Sequence, residues 1–105
     1  MIEVSILYPN SEGSRFDLDY YCTKHMPMSI RLLGEALRGV TVEQGLSGGL
    51  PGSKAAYVAI ARLRFDSTEA FYAAFVPHAE VLQGDIQNYT DVEPVIQISD
   101  IKICR

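Results

Sequence analysis

The sequence contains no tryptophan, only two histidines and only two cysteines, and this scarcity limits the sites that it can form. It has no pair of closely spaced cysteines or of closely spaced histidines, which are typical of zinc sites. We therefore expect no bound metal, and no motif in the sequence calls for a cofactor. Cys22 and Cys104 lie far apart along the chain, so we expect reduced thiols that pack as small apolar groups rather than a disulfide.

Basic residues and long apolar runs are also scarce. The nine Lys and Arg residues are outnumbered by 13 Asp and Glu residues, which gives a net charge of −4. The basic residues are scattered and form no stripe to meet a phosphate backbone, so a nucleic acid partner is not expected. No apolar run approaches the roughly 20 residues that span a bilayer. The first residues lack the basic start and apolar core of a signal peptide, so we expect a cytoplasmic protein with no membrane partner.

The 105 residues, 48% of them apolar, fit one globular domain that covers residues 1–105. A glycine-rich connector at residues 45–54 lacks the features of a phosphate-binding loop and joins the middle two strands. The third strand is apolar on both faces, so we expect it at the centre of a sheet. β-Strands are predicted at residues 2–8, 39–46, 56–65 and 95–103, from an alternating apolar pattern in all but the third, which is apolar on both faces.

The first helical segment is expected to begin with Asp17 as its N-cap. Because Pro27 has no backbone N–H to donate, the helix should kink or restart there, with a second stretch running from Met28 to Leu37. One face of the first stretch is predicted, from the helical spacing, to carry Leu18, Tyr21, Cys22 and His25.

The second helical segment follows Asp66-Ser67-Thr68-Glu69, a stretch that is typical of a capping box with Asp66 as the N-cap. His78 extends its apolar stripe if the helix continues past Pro77, and Gly84 suits the helix end. The stripe itself is predicted to comprise Ala70, Phe71, Ala74 and Phe75.

The order of elements is β-α-β-β-α-β, and both helices open with the same Arg-Phe-Asp tripeptide, at residues 15–17 and 64–66. This weak internal repeat indicates an α+β, ferredoxin-like fold: an antiparallel sheet with both helices on one face. One helix layer leaves the other face bare, including Val58, Ile60 and Val95. A second copy of the chain is the simplest cover for that face, so we expect a homodimer.

The first helix carries the strongest candidates for chemistry. Histidine is the one side chain whose unperturbed pKa lets it change charge near neutral pH, so His25 beside phenols could transfer protons without a cofactor. Tyr21 shares its helix face, whereas Tyr20 points to another side. His25 could instead be hydrogen-bonded in the core or stabilise the helix end. Cys22 lies three residues from His25, but we expect it to be buried and unreactive.

Other side chains could complete a cleft between helices and sheet. Phe71 and Phe75 would supply apolar walls. His78 could line the same cleft or lie at the surface beside Pro77. Residues 85–91 are rich in turn formers and could either line a pocket mouth or satisfy their own backbone.

The sequence resembles the EthD family, within the dimeric α+β barrel superfamily. The resemblance implies a ferredoxin-like monomer, a dimer whose two sheets form a barrel, and a pocket between sheet and helices. Carried over to this chain, it makes His25 the expected acid–base residue. The matching pieces are Tyr8-Pro9, Phe16-Asp17-Leu18-Asp19-Tyr20-Tyr21, His25-Met26-Pro27, Phe65-Asp66-Ser67 with Ala70-Phe71, Asp85-Ile86-Gln87-Asn88-Tyr89-Thr90-Asp91, Glu93-Pro94 and Gln97-Ile98.

Together these observations predict a cofactor-independent enzyme that oxidises, isomerises or decarboxylates a small hydrophobic, oxygenated or aromatic metabolite. His25 would take or give a proton, and Tyr21 or Tyr8 would hydrogen-bond a developing oxyanion. The ligand-contacting residues are predicted to be Tyr8, Phe71, Phe75, His78 and Tyr89. Two other hypotheses stay open: a non-catalytic protein that binds a hydrophobic metabolite, and a structural dimer whose cleft is filled by side chains.

Overall fold

The computed structural model describes all 105 residues and contains one four-stranded antiparallel sheet. Its strands are β1 (Ile2–Pro9), β2 (Gly39–Gln44), β3 (Tyr57–Phe65) and β4 (Val95–Asp100). Their order across the sheet is β2-β3-β1-β4, which is the ferredoxin-like arrangement. The predicted fold class is confirmed, and so is the central position of the third strand.

Two groups of helices, called the first and the second helical layer below, connect the strands and lie side by side on one face of the sheet. The first comprises α1 (Leu18–Tyr20), a π-helical turn (Tyr21–His25) and α2 (Met26–Leu33), and it follows β1. The second comprises α3 (Thr68–Phe75), a 3₁₀ turn (Val76–His78) and α4 (Ala79–Gly84), and it follows β3. Two further 3₁₀ turns cover Gly34–Ala36 and Ile86–Asn88. No helix is long and apolar enough to cross a membrane.

The core lies between the helices and the two central strands. Val4 of β1 and Ala59, Ala61 and Phe65 of β3 are at most 1% exposed. These residues alternate along their strands, as expected where one face of a strand is buried. The central strands therefore form the floor on which both helical layers pack.

The last strand is shorter than its alternating pattern predicts. The prediction that it continues to residue 103 is wrong, because β4 ends at Asp100. Asp100 lies opposite Ile2, where the neighbouring strand β1 begins. Beyond this point only one backbone hydrogen bond remains, from the Ile101 N–H to the Met1 carbonyl at 3.1 Å. An alternating sequence without a partner strand does not form a ladder.

The first helix begins as predicted and then changes its hydrogen bonding. The Asp17 side chain accepts a bond from the Tyr20 N–H at 3.0 Å, which confirms it as the N-cap. The Met26 N–H then bonds to the Tyr21 carbonyl five residues earlier, which closes a π turn. Pro27 falls in the first turn of α2, so the helix restarts immediately before the proline.

Cys22 does not share the buried face that the regular helical spacing predicts. Tyr21 and His25 are buried, whereas Cys22 is exposed and carries a free thiol. The wider π turn directs its first and last residues to the sheet and the residues between them to solvent. The prediction of a buried Cys22 is therefore wrong because it assumes a regular α-helix.

The second helix begins one residue later than predicted. Its N-cap is Ser67, whose hydroxyl accepts a bond from the Ala70 N–H at 3.1 Å, so Asp66 as N-cap is wrong. Asp66 instead pairs with Arg38 at 3.1 Å. Both residue types are good caps, and the sequence alone does not distinguish them.

The sheet face away from the helices is half apolar and half charged. Leu7 lies opposite Ile60 on one side and Val95 on the other, which makes an apolar row across three strands. At the other end, Glu3 pairs with Arg64 at 3.3 Å, and Arg62 pairs with Glu43 at 3.0 Å. That a second copy covers this face stays a prediction.

Candidate functional site

A cavity of about 440 Å³ lies between the helical layers and the β1–β4 side of the sheet. Its size is within the range of small-molecule sites, about 300–1,000 Å³. Most of its wall is apolar. The wall residues are Val4, Ile6, Tyr8, Tyr21, His25, Met26, Ser29, Leu33, Leu63, Phe71, Tyr72, Phe75, Leu82, Gln83, Ile86, Tyr89, Glu93, Pro94, Ile96 and Ile98.

The structure brings six of the seven candidate site residues together at this cavity. His78 is the exception: it is half-buried in the 3₁₀ turn between α3 and α4 and does not line the wall. The loop at residues 45–55 also contributes nothing to the wall. The candidates that line it are Tyr8, Tyr21, His25, Phe71, Phe75 and Tyr89.

The π turn places His25 against two tyrosine rings. Its imidazole stacks on the Tyr21 ring with centroids 5.3 Å apart and an angle of 16° between the planes. The Tyr89 ring lies 4.7 Å away at 51°. His25 is only 7% exposed, so packing on both sides fixes the plane of its ring. The π turn produces this arrangement, since it turns both Tyr21 and His25 toward the cavity.

Asp85 holds one nitrogen of that ring. His25 Nδ1 lies 2.8 Å from Asp85 Oδ2. Asp85 Oδ1 accepts a bond from the Tyr20 hydroxyl at 2.8 Å and another from the Asn88 amide at 2.9 Å. Burial raises the pKa of Asp85, but the hydrogen bonds from Asn88, His25 and Tyr20 outweigh it and leave the pKa below its ordinary value. An ionised Asp85 can only accept, so His25 Nδ1 carries the hydrogen.

The other nitrogen of His25 has no partner within the protein. No buried side-chain nitrogen or oxygen of the chain lacks a hydrogen-bond partner. Nε2 of His25 has no such partner, so this atom must retain accessible surface. Because the ring lines the cavity, Nε2 is open to a ligand there. With the hydrogen on Nδ1, Nε2 presents a lone pair, which is the form that a general base requires.

Three phenols form a hydrogen-bonded group behind the histidine. The Tyr8 hydroxyl donates to the Tyr21 hydroxyl at 3.4 Å and lies 2.8 Å from the Tyr89 hydroxyl. Since Tyr8 has one proton, Tyr89 must donate to it, and the Tyr21 proton is left without an acceptor in the protein. Burial, and then the neighbouring Tyr8, raise the pKa of Tyr21 and of Tyr89, so both stay neutral hydroxyls at ordinary pH.

Asp85 and Tyr20 are the functional candidates that the sequence does not identify. Asp85 stands 60 positions from His25, in a run that equally suits a turn. Tyr20 points to another side of the helix than Tyr21, as predicted, yet it reaches the same carboxylate as His25. The one signal for Asp85 is its place in the Asp85–Asp91 run that resembles the family pattern. No group of three metal-binding side chains is present.

The fold and the cavity define a ferredoxin-like domain with a largely apolar cavity between sheet and helices. Residues 14–93 match the model of the EthD domain. The match covers most of the chain, and the chain therefore belongs to the EthD family, in the dimeric α+β barrel superfamily. No curated protein matches it.

Solved structures of other proteins share this fold. The chain is 48% identical to an EthD-like protein from Ralstonia eutropha JMP134, over 99% of this chain and 94% of that one, with a TM-score of 0.94. An EthD family protein from Bacillus halodurans C-125 is 17% identical, with 96% and 98% covered and a TM-score of 0.73. HapK from Hahella chejuensis is 13% identical, with 100% and 97% covered and a TM-score of 0.58. The last two show the shared fold alone.

Proposed function

We propose that this protein is an enzyme that needs no cofactor and moves a proton on a small hydrophobic, oxygenated or aromatic metabolite. One observation carries the proposal: a histidine held by a carboxylate opens its second nitrogen into an apolar cavity. A ligand that fills such a cavity displaces water from it, which strengthens the electrostatic interactions of the ligand with His25.

His25 is the proposed catalytic base. Its Nε2 takes a proton from a carbon next to a carbonyl, or from a hydroxyl group, and returns it to another position. Asp85 is a positioning residue, because it fixes the tautomer through Nδ1 and stabilises the imidazolium that forms. Isomerisation needs no other reactant, since the proton leaves one carbon of the ligand and returns to another. Oxidation by dioxygen and decarboxylation are alternative outcomes for the same bound ligand.

Tyr21 is the proposed donor to the ligand oxygen on which negative charge develops. Its proton is the one that the phenol group leaves without an acceptor. Tyr21 lines the cavity wall but has no solvent-exposed surface, so its hydroxyl reaches a ligand oxygen only if a neighbouring side chain of the wall moves aside as the ligand binds. Tyr8 and Tyr89 hold the Tyr21 hydroxyl in place. Phe71 and Phe75 supply apolar wall, and His78 takes no part because it lies outside the cavity.

We propose a cytoplasmic homodimer in which a second copy covers the outer face of the sheet. The apolar row of Leu7, Ile60 and Val95 supports this, because such a row on a sheet face is stabilised by burial. The alternating acidic and basic side chains at the other end of the face can pair across a two-fold axis. Sedimentation equilibrium tests it, and a stable monomer at micromolar concentration contradicts it.

Proton exchange on β-tetralone tests the catalytic role. In heavy water, a base that removes an α-proton yields the enolate, which then takes up a deuteron, so NMR reports exchange without any further reaction. Wild-type protein should speed this exchange, and His25→Gln should abolish the increase. The matched control is His78→Gln, which changes the other histidine and should exchange like wild type. Equal exchange in His25→Gln and wild type would exclude His25 as the base.

The second candidate is a non-catalytic protein that binds a hydrophobic metabolite. The apolar wall favours it, as does the phenol group, whose hydroxyls bond mainly to one another. In that case β-tetralone binds without exchange, and His25→Gln changes affinity only. Parallel measurement of binding and exchange therefore separates the two functions.

A further inference from the structure

Charge is unevenly distributed around the cavity. No Lys or Arg lines it, although the chain contains nine of them. The one carboxylate in the wall belongs to Glu93, which is exposed where the wall meets solvent. Glu93 makes no hydrogen bond or ion pair with any other side chain. Asp85 adds a second carboxylate behind His25.

We infer that the cavity selects uncharged ligands, such as cyclic ketones and phenols, over carboxylates and phosphates of the same shape, with Glu93 as a specificity-determining residue. The inference deepens the proposed function and rests on it only in assigning the ligand to the same cavity. Glu93 would act by repelling anions at the entrance of the cavity, whereas it would not lower the affinity for a neutral ligand.

An anion in this cavity would lose its hydration without gaining a cationic partner. Carboxylates and phosphates are bound in proteins chiefly by Arg and Lys, and the wall supplies neither. Burying a charge without such a partner is costly. A neutral ring only displaces water from apolar side chains, and one of its oxygen or carbon atoms contacts His25 Nε2.

His25 and Arg15 do not reverse this argument. If His25 is protonated, its positive charge faces Asp85 at 2.8 Å, and the pair as a whole is neutral. Arg15 is the basic residue bonded to the loop that borders the cavity, but its guanidinium donates to the Gln87 carbonyl at 3.0 Å and is not in the wall. The charge that remains at the entrance is that of Glu93.

A pair of ligands of nearly equal shape tests the inference. β-Naphthol is neutral near neutral pH and β-naphthoate is an anion, and calorimetry measures the dissociation constant of each. For the wild-type protein we expect β-naphthol to bind at least about tenfold more tightly than β-naphthoate. Glu93→Gln should reduce this ratio by roughly threefold, and Glu93→Lys should reduce it further by improving β-naphthoate binding. Added salt should also reduce it.

The control is Glu80→Gln, which removes an exposed carboxylate of α4 outside the wall and should leave the ratio unchanged. Equal affinity of wild type for both probes would overturn the inference, and so would a ratio unaffected by both Glu93 variants. If neither probe binds, the cavity takes no such ligand and the inference fails with the proposed function. If β-naphthol binds selectively but β-tetralone is not exchanged, the inference stands and the catalytic proposal fails.

Discussion

His25 Nδ1 lies 2.8 Å from Asp85 Oδ2, and this contact joins two parts of the chain that are 60 residues apart. It ties the π turn of the first helical layer to the turn that follows α4. The Tyr20 hydroxyl bonds to the other oxygen of the same carboxylate. One carboxylate therefore both joins the two helical layers behind the cavity wall and sets which nitrogen of the histidine carries the hydrogen.

Replacing Asp85 by Asn should change the tautomer of His25 while the fold persists. The new amide can donate to Nδ1, so the hydrogen moves to Nε2 and the lone pair no longer faces the cavity. Nitrogen-15 NMR of the two histidines should show this switch, and β-tetralone exchange should fall about 10- to 100-fold. The control is Asp91→Asn, which alters a carboxylate of the same loop that bonds to the Arg15 N–H at 2.9 Å. An unchanged tautomer in Asp85→Asn would refute the positioning role.

The hydrogen bonds to Asp85 should make part of the stability depend on acid pH. Its folded-state pKa lies below the unfolded value of 3.8, so the stabilisation is complete well above that pH. As pH falls, the unfolded chain takes up its proton first, and the stabilisation is lost as pH passes through the folded-state pKa.

Tyr20→Phe tests this dependence, because it removes one bond to Asp85. The variant should lower the free energy of urea unfolding by about 1 kcal/mol near neutral pH and by less at about pH 3. The same loss at both pH values would show that Tyr20 does not act through the ionised carboxylate.

The phenol group should limit stability at alkaline pH. Burial raises the pKa of Tyr8, Tyr21 and Tyr89 in the folded protein, while the tyrosines of the unfolded chain ionise near their ordinary pKa of 10.0. The stabilisation is therefore complete below this value and is lost as pH rises above it, because only the unfolded state releases protons there.

Urea unfolding on both sides of this pH provides the measurement. Tyr8→Phe removes a central hydroxyl of the group and should flatten the alkaline loss, although it also costs stability near neutral pH through the broken hydrogen bonds. Tyr72→Phe, which alters a half-exposed hydroxyl, is the control and should retain the wild-type profile. A wild-type protein whose stability does not change above this pH would contradict the account.

The cap of the second helix allows a direct test of a place where sequence reasoning fails. Ser67→Ala removes the acceptor for the Ala70 N–H and should cost about 0.5–2 kcal/mol of unfolding free energy. Asp66→Ala removes only an exposed ion pair with Arg38 and should cost about 0–1 kcal/mol. A larger loss for Asp66→Ala than for Ser67→Ala would restore Asp66 as the cap.

The sheet and the start of the first helix were predictable because they depend on local patterns. Alternation along residues 2–8 places the core face of β1 correctly, and the apolar character of residues 56–65 correctly places β3 inside the sheet. The predictions fail where the local structure depends on residues that are distant in the sequence or on an irregular helical turn. The end of β4 depends on where β1 begins, and the exposure of Cys22 depends on a π turn that ordinary helical spacing does not indicate.

The candidate site was predictable in its aromatic part and not in its acid–base partner. His25 and Tyr21 share a helix, so their proximity follows from spacing. Asp85 reaches His25 only because the second helical layer packs beside the first. No sequence pattern predicts this contact between residues 60 positions apart. His78 misses the cavity because the chain turns at Val76–His78 instead of continuing α3.

The central claim is that His25 Nε2 is a base open to the cavity, and the elimination of nitrobenzisoxazole measures this most directly. The base takes the ring C–H proton, the N–O bond breaks, and a coloured nitrocyanophenolate is released. We expect saturable catalysis by wild type and by His78→Gln, and a rate about 100-fold lower in His25→Gln with β-naphthol binding retained. A His25→Gln rate equal to that of wild type would contradict the claim.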